Sequence, residues 1–172
     1  MDKLTEWGER IALLDAMIKP IANRPVDITD PNWVGKLQSF PNPLEEAGVR
    51  AETEDLLSEL IAYYPACDDE TRQALRKLFA DSQNFSWAAR LPYKPVSGES
   101  FRTHLILFSM KDQGPDTRDA ILALQSKCAT AASAGVKIKP ILKEIAEISS
   151  GVNKYGMGST RSLLLHEYER QK

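Results

Sequence analysis

Leu4, Trp7, Ile11, Leu14 and Ile18 recur at alternating steps of three and four. A helix turns once every 3.6 residues, so this spacing lays all five on one stripe that must be covered by other chain. Leu13 and Met17 widen the stripe, and Pro20, which has no N–H to donate, is expected to end the helix at Lys19. The same spacing returns along the chain, each time closed by proline or glycine. Alternation of the strand kind is confined to Val136-Lys137-Ile138, three residues between helical segments. The expected fold is therefore all-α, as stacked helical hairpins or an irregular helical bundle.

The segments can be placed from their punctuation. Pro20, Pro25, Pro31, Pro41 and Pro43 crowd the stretch after the first helix. Within it, Asp30 reads as a cap and Pro31 as a first helical residue, with a short helix to about Gln38 presenting Trp33, Val34 and Leu37. This stretch reads as a connector packed over one end of the core. It is also long enough to be a binding loop. A helix over about Ala51–Tyr64 turns Leu56, Leu57, Leu60, Ile61 and Tyr64 inward, with Pro65 beyond it. Asp68 and Asp69 open the next, which buries Leu75, Leu78 and Phe79. A short helix with Phe85, Trp87 and Ala88 is capped by Asp81 or Ser82 and ends at Leu91-Pro92. Phe101, Leu105 and Phe108 mark another helix, closed by Gly114-Pro115. Asp116 to Ala134 buries Ile121, Leu124 and Cys128 and is closed by Gly135. Lys139 to about Ser149 buries Ile141, Ile145 and Ile148, with Gly151 as its stop. Ser159 caps a last helix carrying Leu163, Leu164 and Tyr168.

A Thr-Arg pair opens the second helix of each hairpin. The copies read Asp69-Glu70-Thr71-Arg72-Gln73-Ala74-Leu75, Pro115-Asp116-Thr117-Arg118-Asp119-Ala120-Ile121 and Gly158-Ser159-Thr160-Arg161-Ser162-Leu163-Leu164. Their arginines lie 46 and 43 residues apart. Periods of roughly 40–47 belong to two- or three-helix repeats. Random pairing of eight threonines and ten arginines over this length gives about half a pair, against three observed. A recurrent helix start without kinship is the competing reading. The pattern resembles HEAT-type helical repeats over about residues 52–168. The third copy departs from it, with no acid near Arg161 and Ser162 where alanine is usual. The resemblance implies an α-α superhelix that binds proteins, with Arg72, Arg118 and Arg161 as structural rungs paired to acids of neighbouring units. On this reading residues 1–172 form a single helical domain. Residues 1–43 are the N-terminal helix and connector, and 44–97, 98–135 and 136–172 are the candidate repeats. Stacked hairpins bury a continuous core and leave broad side faces.

Charge and cysteine usage narrow the function. Twenty-two basic and 24 acidic side chains leave a net charge of −2, which argues against nucleic-acid binding, since that affinity comes from phosphate neutralisation. Cys67 and Cys128 are far apart and belong to no CxxC or Cys/His cluster, so a reducing, cytoplasmic setting is expected. No window approaches the roughly 18 apolar residues of a membrane span, and the charged first twenty residues do not read as a signal peptide.

No catalytic or metal constellation emerges, and no cofactor is implied. His104 lies beside Phe101, Leu105 and Phe108 and reads as the edge of a core face, while His166, among Glu167 and Glu169, faces solvent. Cys128 reads as an inert core thiol. Cys67 sits before Asp68 and Asp69, which raise a thiol pKa. The remaining stretch of interest is Tyr155–Arg161, where Gly156, Gly158, Ser159 and Arg161 could receive an anion at a helix start. The competing reading there is a glycine turn feeding a Ser159 cap. These observations point to a non-enzymatic protein-binding module, a toxin-neutralising immunity protein or adaptor being the concrete version. Gln73, Arg76 and Lys77 on the outer face of the Leu75 helix are its candidate contacts. The alternative is a small-ligand or phosphate-binding protein, an enzyme included, using the Gly156–Arg161 helix start. A backbone-directed nucleic-acid binder using Arg72, Arg76, Lys77 and Arg118 ranks third.

Overall fold

The computed structural model describes residues 2–88, 93–111, 113, 117–149 and 159–171. Among these, every regular element is helical: α1 (Lys3–Ala22), α2 (Trp33–Ser39), α3 (Pro43–Glu46), α4 (Arg50–Tyr63), a 3-10 turn (Tyr64–Ala66), α5 (Asp69–Asp81), α6 (Gln83–Ala88), α7 (Gly98–Met110), α8 (Thr117–Ser133), α9 (Ile138–Ile148) and α10 (Thr160–Arg170). The fold is all-α, as the spacing of its apolar residues requires. The chain divides into two compact units: residues 1–59 with 81–91, and residues 60–80 with 92–172. These boundaries do not coincide with those of the three candidate repeats.

In the first unit, α1 buries Trp7, Ile11, Leu14 and Ile18, four of the five residues of the stripe read from the sequence, with Leu4 half-buried. Leu13 and Met17 do not widen it: they are 69% and 52% exposed. Pro20 does not end the helix either. A proline inside a helix removes one hydrogen bond, and α1 runs one half-turn past it, closing where the Asn23 N–H donates to Lys19 and Ile21 carbonyls. The buried side of α1 packs against α3 and α6. Trp7 Nε1 donates to Glu59 Oε1 at 3.0 Å and Arg10 Nη1 to Glu59 Oε2 at 2.7 Å, which ties α1 to α4. Asp15 Oδ1 accepts from Ser82 Oγ at 3.0 Å and from the Asn84 N–H at 2.5 Å, so α1 also supplies the acceptor at the start of α6. Ser82 Oγ in turn accepts from Phe85 N, as a cap should.

The second unit is built around α7. Phe101 and every residue from His104 to Met110 are buried. A helix apolar on all sides belongs in the middle, and α7 packs against α8, α9 and α10. Ser97 and Ser100 start it with a reciprocal capping box. α8 faces the unit's core with Ala120, Leu124, Cys128 and Ala131, and α9 with Ile138, Leu142, Ile145 and Ala146. Val136-Lys137-Ile138 is no strand; it leads into α9. Between α8 and α9, Gly135 takes φ +83°, a left-handed value, while the Val136 N–H reaches back to the Ala131 carbonyl. Ser159 Oγ accepts from the Ser162 N–H at 3.0 Å and caps α10. The expected stops at Gly114-Pro115 and Gly151 and the end at Leu91-Pro92 lie outside the described residues.

Candidate functional site

The segment expected to cover the core lies open. The Asp30 carboxylate accepts from the Asn32 N–H, closing a turn instead of capping a helix at Pro31, so α2 begins two residues later than expected. No side chain of α2 is buried. Trp33, Leu37 and the terminal Phe40 follow one another at steps of four and three, with Val34 beside them. They are 36%, 47%, 36% and 46% exposed, respectively. Ile28, just ahead, is 72% exposed. Arg24 stands 4.3 Å from the centre of the Phe40 ring and pairs with Glu46, while Lys36 pairs with Asp30. The face is therefore apolar, and the ionic groups at its margin are already matched.

The candidate contacts on α5 divide. Gln73 and Lys77 are exposed. Arg76 is not a free surface group: Nη2 donates to Thr160 Oγ1 at 3.3 Å, and Nη1 is buried with no hydrogen-bond partner. The structure thus brings Arg76 to the first residue of α10, joining two sets of residues that the sequence placed 84 positions apart. Of the candidate anion site, Ser159 is buried and Arg161 is exposed, while Gly156 and Gly158 lie outside the described residues; Thr160, between Ser159 and Arg161, is buried.

All three Thr-Arg pairs fall in the first turn of a helix, α5, α8 and α10. Arg72 is the most enclosed of the three. Its Nε and Nη2 donate to the Tyr64 and Pro65 carbonyls, and its carboxylate partner is Asp69 of its own first turn. Arg118 and Arg161 are exposed.

Among the described residues, the titratable groups of the second unit do not converge on a reaction centre. His104 is 9% exposed, meets the Tyr93 ring edge-on at 5.9 Å, and has its Nε2 buried without a partner. Burial, with the Lys127 charge nearby, lowers its pKa to about 4, so it is neutral at pH 7. Burial also pushes the Cys128 thiol up to about 12, and Glu167 beside it adds to the effect. The Cys67 thiol is raised too, by burial first and Asp68 last, against Arg72. Neither thiol is an activated nucleophile at neutral pH. Glu167, 2% exposed, was not singled out by the sequence. It is held ionised against its burial by Arg170 at 2.7 and 2.8 Å and Gln171 at 2.7 Å. His166 is exposed. Among the described residues, no group of three or more His, Cys, Asp or Glu side chains is placed to hold a metal ion, and no helix is long and apolar enough to cross a membrane.

No family model, curated protein or solved structure matches the chain. The functional reading accordingly rests on the chain's own surfaces, among them the exposed apolar residues of α2.

Proposed function

We propose that this chain is a non-enzymatic protein-binding module whose contact surface is the open face of α2. The observation that carries the reading is a helix with three exposed apolar side chains, Trp33, Val34 and Leu37, and none buried, followed at its C-cap by the exposed Phe40. Exposing them to water is unfavourable by roughly 25 cal/mol per Å², and interface cores are enriched in aromatic side chains. The concrete version is a dedicated inhibitor or adaptor, such as a toxin-neutralising immunity protein, built on HEAT-like helix pairs. Recurrent Thr-Arg starts at α5, α8 and α10 support the repeat. Two free, buried cysteines support a cytoplasmic setting.

Affinity purification of the full chain at physiological salt from its native source tests the reading. The expected result is a stoichiometric companion, captured by the wild type and lost with Leu37→Glu. No companion, or one indifferent to Leu37→Glu, sinks the proposal.

A second reading comes from Arg76. A guanidinium that reaches the first residue of α10 through Nη2 and keeps a buried, unpartnered Nη1 favours a small anion near that helix start, where helix N–H groups also point. Inorganic phosphate is then expected to raise the melting temperature of the wild type, and to do so less in Arg76→Gln and Arg161→Ala. Equal shifts in all three proteins exclude this reading.

A further inference from the structure

The central helix of the second unit carries one titratable side chain among its buried residues, His104. The two nitrogens of its ring differ. A backbone carbonyl can only accept, so the nitrogen bonded to the Tyr93 backbone carries the proton of the neutral ring. Nε2, buried with no hydrogen-bond partner, then carries the lone pair. A buried acceptor left without a donor is unfavourable.

The charged groups gathered around this lone pair are cations. Lys127, half-buried on α8, lies near enough for its charge to act on the ring. Lys111, two turns beyond His104 along α7, acts in turn on Lys127. Burial and Lys111 both disfavour the Lys127 ammonium, and among the described residues no carboxylate pairs with it. Lys3 and Lys36, by contrast, meet Glu6 and Asp30. A ligand that completes the His104 cluster has to be an anion for the lysines and a hydrogen-bond donor for Nε2. Hydrogen phosphate is both, because at neutral pH it is charged and keeps a hydroxyl. Sulfate is charged but has no proton to give.

We infer that His104, Lys111 and Lys127 bind a small oxyanion that also carries a hydroxyl, inorganic phosphate being the simplest. Nε2 accepts from the hydroxyl, and the lysines donate to the remaining oxygens. Nε2 is closed off in this structure, so the ligand enters by displacing a side chain, and the flexible lysine stems are the ones that yield. The inference rests neither on the α2 face nor on Arg76.

The His104 ring resonances of the full chain, followed by NMR at neutral pH and constant ionic strength, report on the site directly. Exposed His166 serves as the internal reference. Inorganic phosphate is expected to shift the His104 signals saturably and to leave those of His166 in place. Sulfate is expected to bind at least about tenfold more weakly, since it offers Nε2 no donor. Lys127→Gln is expected to weaken phosphate binding by about tenfold, and Lys111→Gln, at an exposed position that the fold does not need, by a smaller factor. Arg76→Gln is expected to change nothing. His104 signals that ignore phosphate, or follow it no more than those of His166, overturn the inference. Sulfate binding as tightly as phosphate does the same, as does an unchanged affinity in either lysine variant. An affinity that falls in Arg76→Gln instead overturns it too and places the anion at α10.

Discussion

Acidification from pH 7.5 to pH 5 is expected to weaken the second unit through His104. An unfolded chain leaves this imidazole near its ordinary pKa of 6.5, whereas burial, with Lys127 nearby, lowers it to about 4 in the folded state. The fold therefore favours the neutral ring. Its contribution is complete above about pH 6.5 and disappears as the pH falls toward 4. Linkage between those two values gives a loss of about 2 kcal/mol at pH 5 and about 3 kcal/mol at pH 4. Urea unfolding of the wild type and of His104→Leu at pH 7.5 and pH 5 isolates the effect. Most carboxylates remain ionised at pH 5, and His166 is present in both proteins. The wild type is expected to lose about 2 kcal/mol more than His104→Leu between the two conditions. The ring protons of His104 are expected to titrate near 4 in the folded protein. Equal losses in the two proteins, or a midpoint near 6.5, refute the argument.

Three further outcomes are expected from equilibrium unfolding. Arg170→Ala, which leaves the buried Glu167 carboxylate with Gln171 alone, lowers the stability at neutral pH. Since the pairing lowers the Glu167 pKa, the penalty is present above about pH 4.5 and shrinks as the pH falls through the folded value. An undiminished penalty at pH 3 contradicts the assignment. Leu142→Ala, at a fully buried position of α9, costs about 2–5 kcal/mol, while Leu13→Ala on α1 stays within about 0.5 kcal/mol, and similar values for the two would contradict the burial pattern. Ser159→Ala removes the α10 cap at a cost of about 1 kcal/mol, which Ser159→Asp largely restores.

Periodicity made the helices legible because it reports a local fact, the repeat of the backbone itself. Trp7, Ile11, Leu14 and Ile18 on α1, and Leu124 and Cys128 on α8, are buried where their spacing put them. Boundaries were less legible where a side chain had two uses. Asp30 resembles a cap in sequence but closes a turn on Asn32, which moved the start of α2. Pro20 looks like a stop, yet a helix near its end has few hydrogen bonds left to lose. Burial of polar residues was the least legible, because it depends on distant chain. Arg76 sits beside the Leu75 stripe as an ordinary surface cation would, and only the arrival of Thr160 marks it as enclosed. Glu167 has local partners in Arg170 and Gln171, but nothing in its neighbourhood announces that the helix turns it toward Cys128. The open α2 face was hidden for the opposite reason. Trp33, Val34 and Leu37 have the composition of a covering segment, and composition does not say whether anything lies beneath.

The Asp15 carboxylate sets an order of assembly. Six residues are too few to sustain a helix unaided, since nucleation fixes several residues before many hydrogen bonds are gained. α6 begins on acceptors that include a side chain from α1, 69 positions earlier in the chain. Until α1 has formed and arrived, the first turn of α6 has no such anchor, so α6 is a late arrival in folding. Removing the carboxylate, as in Asp15→Ala, should then speed unfolding while leaving the refolding rate nearly untouched.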